Sequence, residues 1–167
     1  MRTIQGLFKL AMKRDIPQLI DNWEMPGLIF DIGASGRYKV DGATALGLPQ
    51  WWFPGCDIPS GNNETATIHC YHFLEHLSGK DAIQFLREVE RVLKIDGVMN
   101  FCVPYYNSNL QAQDLTHRSA WCEDSFRNLF ENTFYDPAGR WRLRVHTIFI
   151  MGLVERNMAL LGQIVKV

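Results

Sequence analysis

Apolar positions along the chain change their period several times, and each change marks an expected element. Ile4, Leu7, Phe8 and Ala11 fall at i, i+3, i+4 and i+7, an amphipathic helix that Pro17 interrupts. Residues 1–26 are therefore expected to form an N-terminal helical segment. The run "GLIFDI" at 27–32 is short, apolar and closed by a glycine turn, which reads as a buried strand feeding a loop. A weaker strand is expected over 43–48 and another over 67–73. Ser78 and Asp81 have capping-box spacing, and Ala82, Phe85, Leu86, Val89 and Leu93 then mark one face of the clearest helix. Gly97 closes that segment and a strand returns over 98–103. Residues 104–120, rich in Asn and Gln, are expected to be a structureless loop, long enough to be functional. A helix carrying Phe126, Leu129 and Phe130 follows. Trp141, Leu143 and Val145 then alternate with Arg142, Arg144 and His146 as a half-exposed strand. A turn at Glu155, Arg156 and Asn157 leads into a last strand ending near Val167.

Strands alternating with helices imply a mainly parallel α/β sheet. The closing pair of strands is joined by too few residues for a parallel crossover and must be antiparallel. At 167 residues, 47% hydrophobic and 21% charged, the chain suits one compact domain with a substantial core, which excludes a disordered, collagenous or disulfide-stapled protein. The net charge of −1 argues against a general nucleic-acid or polyphosphate binder. The charge is unevenly placed: between Lys39 and Lys80 there is no Lys or Arg, but Asp41, Asp57, Glu64 and Glu75 are present. That acidic middle is either the place for a cationic ligand or simply a solvated face. Cys56, Cys70, Cys102 and Cys122 show no C-x-x-C spacing, and no apolar run is long enough to span a bilayer. A cytoplasmic protein with no membrane association is expected.

The segment Asp31-Ile-Gly-Ala-Ser-Gly36 ends the first confident strand, and in open α/β sheets ligands sit beyond the carboxyl ends of strands. Gly33 and Gly36 allow a tight turn and a close backbone approach. The spacing is G-x-x-G, short of a dinucleotide fingerprint, and Asp31 disfavours a pyrophosphate while suiting an ammonium or sulfonium. "FDIGASGRY" resembles the first motif of the class I methyltransferases that use S-adenosylmethionine. "IHCYHFLEHL", "FLREVERVLKIDGVMNFCVPYY" and "QDLTH" follow in the order and spacing of that family's small type 11 members. "RVLKIDG" is similar to their R-V-L-K-P-G-G, with Ile95 and Asp96 replacing Pro and Gly. "DLTH" is similar to D-P-T-H, with Leu115 replacing Pro.

The resemblance spans about residues 28–130. It implies a single domain over 1–167, with a Rossmann-like methyltransferase core over 27–167, helices on both faces of the sheet and an antiparallel C-terminal hairpin. It implies methyl transfer from S-adenosylmethionine to an oxygen or nitrogen acceptor, on a small molecule or an exposed group. Asp31, Gly33, Ala34, Ser35 and Gly36 would hold the methionine part of the cofactor, Asp57 and Ile58 would lie near the adenine, and His72 would face the cofactor. Two departures stand out. Gly47 occupies the place where the family commonly has a ribose-binding acid, and residues 37–42 are too few for a full crossover helix. They leave a catalytically inactive, methyltransferase-like scaffold as the alternative.

His69, His72, Glu75 and His76 form a further cluster, and His72-Phe-Leu-Glu-His76 satisfies the H-x-x-E-H pattern of inverted zincins. "TIHCYHF" reads as a strand, so His72 would sit at a strand end and not on a zinc-binding helix face, and no third ligand is evident. A zinc hydrolase is thus the least favoured reading. The segment is expected to be a polar strand-to-helix corner tied by hydrogen bonds. No metal is assigned, and a non-hydrolytic metal role for Glu75 and His76 stays open. In the long loop, Asp114 and His117 could be an orienting acid and a general base, with Tyr105, Tyr106 and Asn107 lining an acceptor pocket. Alternatively Asp114 is a turn residue and His117 its local partner. The D/N-P-P-Y/F signature of nucleic-acid base methylases is missing after the 67–73 strand, which disfavours a nucleic-acid substrate. Arg142, Arg144 and His146 could meet an anionic acceptor, but the favoured reading is a charged edge that blocks sheet-to-sheet association.

Overall fold

The computed structural model describes residues 24–34, 39–131, 137–153 and 156–167. The expected N-terminal helix, Ser35 and Gly36, and Glu155 of the hairpin turn lie outside the described residues. Six strands form one sheet in the order β2-β1-β3-β4-β6-β5. They are β1 (Leu28–Ile32), β2 (Thr44–Leu46), β3 (Thr65–Tyr71), β4 (Leu93–Pro104), β5 (Leu143–Leu153) and β6 (Arg156–Lys166). Strands β1 to β4 run parallel, β6 lies antiparallel to β4, and β5 is antiparallel to β6. The mostly parallel α/β sheet with a closing hairpin is what the hydrophobic pattern and the resemblance imply.

Helix α1 (Gly79–Val92) follows β3 through a 3₁₀ turn at Leu74–His76. The hydroxyl of Ser78 accepts from the Asp81 amide at 3.2 Å and donates to the Asp81 carboxylate at 2.6 Å, closing the helix N-terminus. Ala82, Phe85, Leu86, Val89 and Val92 are its buried face. Leu93, expected on that face, instead opens β4. It pairs with Thr65, whereas Val98 pairs with Thr67, so residues 94–97 bulge out of register. Asp96 sits in that bulge at φ +62°, in the sequence "KIDG".

The two faces of the sheet differ. Phe30, Ile68, Phe101 and Leu160 pack with α1 and with α3 (Glu123–Glu131) in the main core, where Phe101 stacks on Phe126 at 4.2 Å. On the other face, Cys102, Ala159 and Leu161 pack with Leu110 of the one-turn helix α2 (Asn109–Ala112). Helix α2 corrects the expectation that 104–120 is structureless. Ser108 caps it by accepting from the Gln111 amide at 3.2 Å, the S-x-x-Q spacing of a helix start. Residues 47–64, between β2 and β3, contain neither helix nor strand, and Trp51, Phe53 and Ile58 fix them to the core.

Candidate functional site

Strand β1 has β2 on one side and β3 on the other, so chain direction across the sheet reverses at the β1–β3 boundary, where open α/β sheets bind ligands. Asp31 is buried at that carboxyl edge, and its Oδ2 accepts from the Val40 amide at 2.8 Å, folding the chain back toward β2. Gly33 donates its amide to Leu46 at 2.8 Å with φ +75°, a conformation that favours glycine. A side chain there would also press on Phe73, whose Cβ lies 3.0 Å from the position a new Cβ would take. Phe73 in turn meets Trp51 and Trp52, with ring centroids 5.9 and 5.6 Å away, so an aromatic wall backs the turn.

Gly47 follows β2, and a Cβ there would lie 2.4 Å from the carbonyl oxygen of Ala34. The ribose-binding acid missing from the sequence thus has no room at this position. Asp57 is exposed, and its carbonyl accepts from the Trp51 indole at 2.9 Å. Ile58 is buried, and its amide donates to Glu88 of α1 at 3.0 Å. Glu88 is held by Arg91 at 2.6 Å. These contacts anchor 57–58 to α1 at the side of the sheet. The buried Asp31 beside a glycine turn, and the exposed Asp57 in the run between Lys39 and Lys80 that holds no Lys or Arg, fit a cationic cofactor such as S-adenosylmethionine.

His72 stands just past β3 with φ +55°, a strained backbone for a non-glycine residue. Its amide donates to Cys102 at 2.8 Å, its Nδ1–H donates to Glu75 Oε1 at 3.2 Å, and its Nε2 lies 3.8 Å from the Cys102 sulfur. His72 is buried and engaged by the protein on both ring nitrogens. His69 does not join it. It lies further back on β3, between the Tyr71 hydroxyl at 2.8 Å and Glu24 at 3.0 Å. The sequence cluster of three histidines and one glutamate therefore divides in two.

The long loop is lashed to the 3₁₀ turn. The Arg118 and Ser119 amides donate to the Glu75 carbonyl at 2.7 and 3.1 Å, and the Ser119 hydroxyl donates to the Leu74 carbonyl. This brings His117 against His76, ring centroids 4.9 Å apart. Asp114 and His117 are neighbours, but Asp114 Oδ2 is 3.9 Å from His117 Nε2, too long for a hydrogen bond. The ring is oriented by the Gln111 carbonyl, which accepts from Nδ1 at 2.9 Å. Orientation of His117 by Asp114 is corrected accordingly, because Asp114 Oδ1 already accepts from the Thr116 hydroxyl and amide at 2.7 and 2.8 Å. Those two bonds hold the Asp114 carboxyl below the usual carboxylate range.

Tyr105 is buried with its hydroxyl on Glu123 at 3.0 Å, while Tyr106 and Asn107 are exposed. Sequence reasoning missed Thr116, Gln111, Cys102 and Phe73. Thr116 had a signal, since D-x-T is the spacing of an Asx turn. A cavity of about 320 Å³ between α1 and α3, lined by Ala82, Ile83, Leu86, Ser119, Trp121 and Leu129 among others, carries no titratable side chain.

No protein-family model matches the chain, and no curated protein matches it. Solved structures do. A methyltransferase dependent on S-adenosylmethionine from Archaeoglobus fulgidus superposes with a TM-score of 0.63 at 12% identity, covering 97% of this chain and 94% of its own. The mitomycin 7-O-methyltransferase MmcR gives a TM-score of 0.64 at 17% identity, over 97% of this chain and 55% of its own. The 1,6-didemethyltoxoflavin-N1-methyltransferase of Burkholderia thailandensis, with bound 1,6-didemethyltoxoflavin and S-adenosylhomocysteine, gives 0.61 at 15% identity, over 99% and 79%. The sheet order, its reversed last strand and these superpositions together show that the chain has the Rossmann-like fold of the class I methyltransferases.

Proposed function

We propose that the chain transfers a methyl group from S-adenosylmethionine to an oxygen or nitrogen acceptor on a small molecule or an exposed group. The observation that carries this reading is the Asp31–Gly33 turn at the β1–β3 switch point of a methyltransferase fold. In this proposal Asp31, Gly33, Ala34, Ser35 and Gly36 hold the methionine part, Asp57 and Ile58 border the adenine, and His72 closes the strand-end wall. Asp114 and His117 stand on the acceptor side. The cofactor supplies an electrophilic methyl on a sulfonium, and the residues of this chain align the acceptor in line with it. Neighbours of this fold act on oxygen in one case and nitrogen in another, so the fold does not choose the atom. No helix among the described residues is long and apolar enough to cross a membrane, and all four cysteines are free, which fits a reducing compartment such as the cytoplasm.

A scaffold without turnover is the second reading, favoured by the 2.4 Å approach that bars an acid from position 47. Calorimetry with S-adenosylmethionine and S-adenosylhomocysteine separates the two. Micromolar-range binding, about −8 kcal/mol, is expected. Gly33→Val, checked for folding, should abolish it. Absence of binding to the folded chain rejects methyl transfer in favour of the scaffold.

A further inference from the structure

Among the described residues, three buried side-chain atoms lack a hydrogen-bond partner: Glu75 Oε2, His117 Nε2 and Gln111 Oε1. Glu75 is wholly buried, and the His117 side chain is 4% exposed. Buried polar atoms are nearly always paired, so each exception asks for an explanation such as a water or an ion.

The unmet groups share one character. A carboxylate only accepts. His117 gives its Nδ1–H to the Gln111 carbonyl, so in the neutral ring the lone pair is on Nε2. The Thr116 hydroxyl gives its single proton to Asp114 at 2.7 Å and must therefore accept from His76 Nδ1–H at 3.0 Å. That leaves the lone pair of His76 on its Nε2 as well. His117 Nε2 is 4.0 Å from Glu75 Oε1 and 3.9 Å from Asp114 Oδ2, and Asp114 is at the solvent rim. One nitrogen from each histidine and one Glu75 oxygen lie within 4.8 Å of one another.

The geometry points to a site for one divalent first-row cation, of the zinc or manganese kind, ligated by Glu75, His76 and His117, with Asp114 at the rim. Two imidazoles and one or two carboxylates suit such ions better than the all-oxygen shells of calcium or magnesium. The Gln111 carbonyl and the Thr116 hydroxyl stand behind the two rings as outer partners that fix their tautomers. Donors about 2.0–2.2 Å from an ion stand roughly 3.0–3.4 Å apart, so the side chains would close by about 1 Å on loading. This differs from an inverted zincin centre, because His72 is committed to Glu75 and Cys102, and the second histidine comes from the loop. The consequence for the substrate rests on the methyl-transfer reading: a cation here would bind a hydroxyl acceptor and ease loss of its proton to solvent at the Asp114 rim. The oxygen then forms its bond to the methyl carbon as the sulfonium S–CH3 bond breaks and S-adenosylhomocysteine leaves.

The test uses the full chain, stripped by a chelator and titrated with zinc or manganese by calorimetry. Metal content after gel filtration and the absorption spectrum of the cobalt-loaded protein are read alongside. One ion per chain is expected. His76→Ala, at a half-exposed position, and His117→Ala should each weaken binding at least tenfold and change the cobalt spectrum. Thr116→Val should weaken it by about 10–100-fold through the ring it orients. Cys56→Ser removes an exposed thiol and should change nothing. Lack of stoichiometric binding to the folded chain, or binding that survives both histidine variants, overturns the site. Cofactor calorimetry on the stripped chain is a separate readout, so failure of the metal site and failure of the methyltransferase reading are distinguishable.

Discussion

Two buried polar clusters lie within a few residues of each other on β3 and its exit, and they differ in completeness. The first is a ladder across the sheet: His69, Asn100 and Gln163 pair in register on β3, β4 and β6. The Gln163 amide donates to Asn100 at 2.9 Å, Asn100 reaches His69 at 3.5 Å, and His69 also meets Tyr71 and Glu24. None of these side chains has an orphaned buried atom. The second cluster, Glu75 with His76 and His117, holds two of the three orphaned atoms. A complete network specifies and rigidifies a core, whereas an incomplete one at a loop corner carries a stability cost that a ligand would offset.

The largest expected effect sits in the ladder. Asn100→Leu would remove the Asn100 acceptor of the Gln163 amide and one of the neighbours of His69, for a loss of about 1–3 kcal/mol in all at the usual worth of each hydrogen bond. Urea unfolding should show that loss with the midpoint shifted and the slope unchanged. A variant as stable as the parent would mean that the ladder is not a source of stability, and the contrast between the clusters would collapse.

The next effect has the opposite sign. In the metal-free chain, Glu75→Gln keeps an acceptor for His72 and replaces a buried, unpaired carboxylate oxygen by part of an uncharged amide. Stability should be unchanged or higher by about 0.5–1.5 kcal/mol, because a neutral amide costs less to bury than an unpaired carboxylate oxygen. Chemical denaturation of both chains after chelation reads it. A loss above about 2 kcal/mol would show that Glu75 is already satisfied as a carboxylate, and with it the reason to seek a cation would weaken.

The ladder and the corner were not equally legible in the sequence. Local signals carried far. Ser78 and Asp81 cap α1, the Phe85–Leu86–Val89 face is buried, the "GLIFDI" run forms β1, and Leu143 with Val145 alternates into β5. The S-x-x-Q start at Ser108 was equally local, yet the surrounding Asn and Gln hid it. What the sequence could not show depends on pairing between distant elements. The ladder exists because three polar residues on β3, β4 and β6 fall in one register row. The tautomer of His117 is set by a backbone carbonyl, which leaves no trace in residue type. Strand register likewise put Leu93 into β4 instead of on the helix face, since Thr65 offered it a partner.

The smallest expected effect tests the ladder through pH. Burial lowers the pKa of His69 below its usual 6.5, against a partial opposing pull from Glu24. The folded chain therefore binds the proton less readily than the unfolded chain. Stability from this residue is fully present above the unfolded value and declines as pH falls through about 6.5 toward the lower folded value. His69→Gln removes the titrating ring while keeping a side chain that can hydrogen-bond to Tyr71. Unfolding free energies measured in steps from pH 7.5 to 5.5 should fall more steeply for the parent than for the variant. Asp114 titrates below this window, its carboxyl being held down by Thr116, and so does not enter the difference. Parallel slopes would mean that His69 takes up a proton as easily inside the sheet as outside it. The Glu24 contact would then outweigh burial, and the ladder would be a charged pair at its edge instead of a neutral, closed network.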